Sequence, residues 1–366
     1  MNIVSVELIR AELPFHAPFR ISISVAAATS NIFVRITTDT GHVGLGEASP
    51  SPAITGDTAE TMLAAGRAYG AAMLGRDARD VLGAARMMKA LINGHPTIRG
   101  GFDLALHDLA SQAAGMPLYQ YLGGARRSFE TDNTVGLDEP AVMAKTAAEF
   151  IADGFPAIKA KVGTGFADDV ARVRAIRAAI GPGIPLRIDA NQAWDVVTSI
   201  KVLKAVAEED VEYCEQPVRR HDLPGLADIR SKVSIPIMAD ESVFDAADAL
   251  ALVRGRCCDF LNIKLSKSAG IAEAVRIAAV AEAAGLACMV GCMSETRLGL
   301  TAAAHFISAH PIVRFADLDS HVDHTVDPVT GGMTITDGMV HVPDGPGLGA
   351  GLTAEFVSGC TVERIA

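Results

Sequence analysis

From about residue 128 the chain repeats one pattern: a short β-rich apolar run, then an Ala-rich stretch of helical period. The runs cover residues 131–136, 156–162, 185–190, 211–216, 235–240, 259–265, 286–292 and 313–319. Their first residues step by 25, 29, 26, 24, 24, 27 and 27, which leaves room for one helix in each interval. Strands alternating with helices at near-constant pitch predict a parallel sheet with right-handed crossovers. Eight such units predict closure into a barrel, with an open doubly wound sheet as the runner-up. The preceding zones differ. Residues 3–8, 32–38 and 43–47 alternate in β-like fashion around a turn at Asp39-Thr40-Gly41, and residues 58–122 read as helices broken at Gly75, at Gly94 to Pro96 and at Gly123-Gly124. The Gly-rich string GPGLGAG near the end has neither a strand before it nor a helix after it, as a dinucleotide loop requires. It reads as a turn-rich return toward the N-terminal zone.

Composition narrows the function classes. Lys plus Arg number 32 against 43 Asp plus Glu, a net charge of −11 over 366 residues. That balance speaks against a nucleic-acid partner, which needs a basic face, but leaves small anionic substrates open. Apolar residues make up 49%, enough for a large core. The longest stretch free of charged residues, 298–313, contains Pro311 and falls short of the roughly 20 residues of a membrane span. The start lacks a signal-peptide pattern. No two of the six cysteines form a Cys-x-x-Cys pair. They read as buried thiols of a reducing compartment, so a cytoplasmic, membrane-free protein is expected.

Catalytic groups of such barrels come from the carboxyl ends of the strands. Here the second run ends in Lys159-Ala160-Lys161, the third to fifth carry Asp189, Glu215 and Asp240, the sixth carries Lys264, and the eighth closes with Asp317-Leu318-Asp319. Three carboxylates on adjacent strands repel one another, and a bound cation resolves the repulsion. An all-oxygen set suits Mg²⁺ or Mn²⁺ better than zinc. Strands two and six face each other across an eight-strand ring, so Lys161 and Lys264 would flank a substrate held at the metal. Two bases on opposite faces of one carbon can remove a proton and return it from the other side, through an enediolate that the metal stabilises. Lysine must have a depressed pKa to act as a base near neutrality, and a neighbouring cation would lower it.

These residues resemble the enolase superfamily, in the muconate-lactonising subgroup marked by a Lys-x-Lys strand opposite a single Lys. The likeness runs along nearly the whole chain: ITGDT at 54–58, DANQAW at 189–194, EQP at 215–217, MADES at 238–242, NIKL at 262–265, MVGCMSET at 289–296 and PGLG at 346–349. It implies an α/β fold, a (β/α)7β modified TIM barrel over 126–320. An α+β capping domain would span 1–125, and a segment at 321–366 would return to it. Within the subgroup the chain is most similar to dipeptide epimerases of the L-Ala-D/L-Glu type. The resemblance implies that Asp317 and Asp319 bind the α-ammonium group of a dipeptide and that Thr134, Met293 and Ser294 contact the substrate. Lys161 and Lys264 would be the acid and base, Lys159 would polarise the substrate carboxylate, and a homo-oligomer is expected. N-acylamino-acid racemisation, cycloisomerisation and syn-dehydration remain open on the same scaffold, as does a binding role without catalysis.

One departure bears on specificity. Relatives acting on Ala-Glu are expected to carry an arginine in the capping loop, read here as residues 18–31, to hold the Glu side chain. The matching position is Ser24, and the only arginine in the segment is Arg20, four residues earlier. Arg20 is carried as a substrate contact, and the second residue of the dipeptide need not be Glu. His321, Asp323 and His324 lie past the eighth strand and read as surface or specificity residues. His305 reads as a helix residue at the barrel edge, and Trp194 as either a wall of the site or core.

Overall fold

The computed structural model describes residues 1–366. The eight repeats form one parallel sheet whose strands are hydrogen-bonded in chain order: Asn133–Val135, Ile158–Lys161, Leu186–Asp189, Val211–Glu215, Ile237–Ala239, Phe260–Ile263, Ala287–Gly291 and Val313–Asp317, barrel strands one to eight. Seven helices separate them: Pro140–Ala152, Phe166–Ile180, Val196–Ala205, Leu223–Lys232, Ala246–Gly255, Ile271–Ala284 and Arg297–Ala309. Every residue of strands two, three and seven is buried. Both faces are covered, one by helices and one by the barrel interior, so even Lys159, Lys161, Arg187 and Asp189 of strands two and three are buried. Strand eight meets strand one without a ladder. Asp132 N donates to Ala316 O (3.3 Å), Leu318 N to Thr131 Oγ1 (2.9 Å) and Thr134 N to Asp319 Oδ2 (2.7 Å). The strands stop short of the apolar runs, so Asp240 and Lys264 sit one residue past their strands and Asp319 two past.

The cap is an antiparallel sheet of Ile3–Ile21, Ser24–Thr38, Val43–Ala48 and the distant Thr361–Ile365, which pairs with the first strand (Val6 opposite Ile365). Helices Ala59–Met73, Val81–Leu91 and Pro96–Ala113 accompany it and share its separate hydrophobic core. Residues 18–31, expected as a loop, are instead most of a hairpin, with Phe19 opposite Ala26 and Ile21 opposite Ser24. The strand survives Pro14 and Pro18 because the register shifts between Pro14 and Phe19, which keeps the residues from 15 to 18 out of the ladder.

Cap and barrel are bolted together by buried acids. Glu47 accepts from Asn31 Nδ2 (2.7 Å) within the cap and from Thr296 N, Thr296 Oγ1 and Gly299 N (each 2.8 Å) across the seam. Burial pushes its carboxyl up to about 7. Asp103 of the cap accepts from Ile271 N (2.6 Å), capping a barrel helix. The GPGLGAG string docks on the cap as well: Leu348 N donates to Asp108 Oδ1 (2.9 Å), and Gly347 turns there with φ +79°. His305 is a core residue, accepting from Tyr119 N (3.1 Å) at Nδ1 and donating from Nε2 to Leu348 O (3.0 Å). Trp194 is also buried core, tied by Nε1 to Asp169 Oδ2 (2.9 Å). The six cysteines are free thiols, and no helix is long and apolar enough to cross a membrane.

Candidate active site

The strand ends converge. Lys159 lies at the centre, its Nζ 2.7 Å from Glu215 Oε2, 2.8 Å from Asp317 Oδ2 and 3.4 Å from Asp189 Oδ2. It thereby links strands three, four and eight. Lys161, two residues on and on the same face, pairs with Asp189 Oδ2 at 2.7 Å, while Lys264 pairs with Asp240 Oδ2 at 2.9 Å. Burial alone pushes Lys264 down, but Asp240 and Glu215 more than offset it and hold the ammonium above its ordinary pKa.

The three carboxylates share a design. Each has one oxygen fixed by a neighbour: Asp189 Oδ1 by Asn191 N (2.8 Å), Glu215 Oε1 by Asn262 Nδ2 (2.7 Å) and Asp240 Oδ1 by Lys267 Nζ (2.6 Å). The second oxygens face the lysines, Asp189 Oδ2 toward Lys161, Glu215 Oε2 toward Lys159 and Asp240 Oδ2 toward Lys264, while Oε2 of the adjacent Glu241 is buried without a partner. Burial and the other acids raise Glu215 to about 7 and Glu241 to about 8. Buried carboxylate oxygens from three adjacent strands, each group oriented by a neighbour at one oxygen, with the orphaned Glu241 Oε2 beside them, form the all-oxygen donor set a divalent cation needs. Asn191, Glu241, Asn262 and Lys267 escaped the sequence reading. Their signal was their spacing, within one to three residues of Asp189, Asp240 or Lys264.

Lys161 and Lys264 open onto one small polar cavity, together with Thr134, Met293, Ser294, Asp317 and Asp319. Phe15, Phe19, Cys292 and Ser320, none of them expected there, complete its wall with Asp323, whose place fits a specificity role rather than a surface one. Arg20 is not brought in. Strand alternation turns Phe19 to the cavity and leaves Arg20 exposed. The acidic pair is electrostatically split. Burial pushes Asp317 up, but Lys159 and Lys161 more than offset it and hold the carboxyl well below the usual range. Asp319, accepting from Thr134 N and Cys292 Sγ (3.5 Å), is raised by burial and Asp317 to about 7. His324 is buried against Phe15 (ring centroids 5.3 Å apart), so it helps seat the hairpin rather than bind a metal.

The same cavity continues under the hairpin into a cleft of about 510 Å³, lined by Ser24 and by apolar groups including Ile21, Val25, Pro52, Ile54 and Met293. Its only charged wall residues besides the two lysines are Arg10 and Glu60, which pair with each other at 3.1 Å.

Family models match both parts of the chain: "Mandelate racemase / muconate lactonizing enzyme, N-terminal domain" over residues 3–123 and "Enolase C-terminal domain-like" over 142–356. Among curated relatives, the D-Ala-D/L-Ala epimerase of Cytophaga hutchinsonii is 41% identical, with 98% of each chain covered. The hydrophobic dipeptide epimerase of Enterococcus faecalis is 41% identical over 95% of this chain and 99% of its own. The L-Ala-D/L-Glu epimerase of Bacillus subtilis is 38% identical over 95% and 96%. A crystal structure of the Cytophaga hutchinsonii dipeptide epimerase with Mg and D-Ala-L-Val superposes with a TM-score of 0.99 at 40% identity over 100% of both chains. With its lysines and carboxylates set on the strand ends of that shared fold, the chain belongs to the mandelate racemase/muconate lactonizing enzyme family of the enolase superfamily.

Proposed function

We propose that this chain is a Mg²⁺-dependent dipeptide epimerase acting at the α-carbon of the substrate's C-terminal residue. The observation that carries the reading is the convergence of Lys161 and Lys264, from facing strands, on one cavity walled by Asp317 and Asp319. Asp189, Glu215 and Asp240 would hold Mg²⁺, and Mn²⁺ suits the same all-oxygen set. When bound, the cation supplies the positive charge that makes the carbon beside the substrate carboxylate acidic. Lys161 and Lys264 take up and return the proton on opposite faces, exchanging roles between epimers, and Lys159 donates to the carboxylate. Asp319, with Asp317, receives the α-ammonium group. A dianionic cycloisomerase substrate would meet repulsion there. We read residues 1–125 and 321–366 as the cap and its returning segment, and 126–320 as the catalytic barrel. The test is deuterium uptake: dipeptides incubated with the protein in D₂O should exchange the α-hydrogen of the C-terminal residue, and EDTA should abolish it. No exchange across a dipeptide library would end the reading.

Two predictions concern substrate binding. Asp319 has a folded-state pKa near 7, so it binds an ammonium better as pH rises through that value. For dipeptides, kcat/KM should therefore climb between pH 6 and 8, and Asp319→Asn should flatten that limb; an unchanged profile would remove Asp319 from ammonium binding. The apolar cleft offers no free cation to a Glu side chain. Ala-Leu should therefore be turned over with kcat/KM about tenfold or more above Ala-Glu, and the reverse order would show that the cleft does not receive the second side chain.

A further inference from the structure

A second cleft, of about 530 Å³, lies on the seam between cap and barrel, away from the substrate cavity. Its size suits a small ligand, and its charges do not cancel. Of the acids on its wall, Asp245 is spent capping helix Ala246–Gly255, accepting from Ala247 N (2.9 Å) and Asp248 N (3.1 Å). Glu273 is spent on Ala246 N (2.9 Å) and Arg276 (2.7 Å). Lys267 is spent on Asp240. Arg86, Lys89 and Arg99 also line the cleft and have no carboxylate within 4.0 Å. Arg99 Nε is buried with no hydrogen-bond partner, and a buried orphan donor in a native fold calls for an explanation. Asp57, Asp245 and Glu273 act on Arg99 only from beyond ion-pair distance, so three cations around one cleft keep no direct carboxylate partner in a chain of net charge −11. Leu82, Met88 and Phe244 give the cleft an apolar side.

We propose that this seam cleft is a binding site for a small organic dianion, a phosphate monoester or a dicarboxylate, gripped by Arg99 with Arg86 and Lys89. The fork of a guanidinium suits both groups, and the apolar side accommodates the organic part. Such a ligand would touch the cap through helix Val81–Leu91 and the barrel through Phe244, whose ring lies 5.8 Å from Lys267 Nζ.

Calorimetric titration of the Mg²⁺-loaded protein at fixed ionic strength, with phenyl phosphate in one arm and succinate in the other, tests this. One-site binding of at least one probe at about 1 mM or tighter is expected, weakened about tenfold or more by Arg99→Gln. The better probe identifies the class. Failure of both probes to saturate, or equal affinity in Arg99→Gln, overturns the proposal. Should Arg99→Gln not fold, the exposed pair Arg86→Gln/Lys89→Gln decides by the same criterion. If that pair instead dissociates a wild-type oligomer formed without any dianion, the cleft is covered by a second copy and the proposal falls.

Discussion

Lys264→Ala is expected to lower kcat by about 10²–10⁴-fold, the usual share of a positioned acid or base, while leaving half of the chemistry intact. If Lys161 and Lys264 address opposite faces of the α-carbon, a protein with Lys161 alone can still deprotonate one epimer and return deuterium to the same face. That epimer should exchange in D₂O without inverting, and the other should do neither. Lys161→Ala should give the mirror-image pattern. Following both epimers by proton NMR reads the result directly. Exchange of both epimers in either variant would show that the two lysines do not divide the faces between them. The variant should fold, although removing one partner of a buried ion pair costs about 3–5 kcal/mol. Lys267 still holds Asp240 Oδ1 at 2.6 Å, and a melting curve with Mg²⁺ present checks the fold.

Stripping the metal should be as damaging, and it should leave a thermodynamic trace besides lost activity. Dialysis against EDTA is expected to cut kcat/KM by at least about 10³-fold, the equivalent of several kcal/mol of charge stabilisation. Mg²⁺ at 100 times its Kd should restore about 2.7 kcal/mol of stability. At one fixed Mg²⁺ concentration, set from the Kd at pH 6, that gain should grow with pH. Glu215 and Glu241 have folded-state pKa values near 7 and 8, above the unfolded carboxylate range. Without metal, the stability tied to their protonated forms is full below about pH 4.5 and is lost as pH rises through 7 to 8. A bound cation favours their ionised forms and removes that loss. Melting temperatures with and without Mg²⁺ at pH 6 and pH 8 measure it. An equal gain at both would separate these acids from the metal.

The barrel was legible because its repeat is long and regular: eight apolar runs at nearly constant pitch leave few alternatives. Its chemistry was legible because charge at the end of a buried strand needs a reason, and Asp189, Glu215, Asp240, Lys161 and Lys264 each stood at such an end. Residues that act across the fold were harder to see. Lys267 lies in a turn three residues past Lys264, and only the curling of that turn carries its ammonium back to Asp240. The hairpin was hidden by Pro14, Pro18 and a run of small residues that suggested a loop, and its alternation decided against Arg20 in favour of Phe19. Asp323 and Phe15 reach the cavity from segments more than 300 residues apart in sequence, a closeness that no local pattern encodes.

The fourth strand of the cap sheet also constrains the order of assembly. All eight barrel strands have been made once residue 317 is translated, but the cap sheet needs Thr361–Ile365 alongside its first strand. During synthesis, a barrel able to collapse waits beside an N-terminal sheet with one raw edge, open to pairing with a neighbouring nascent chain. The hairpin that roofs the substrate cleft belongs to that same sheet. The ribosome therefore delivers the catalytic groups before it delivers the strand that completes their cover.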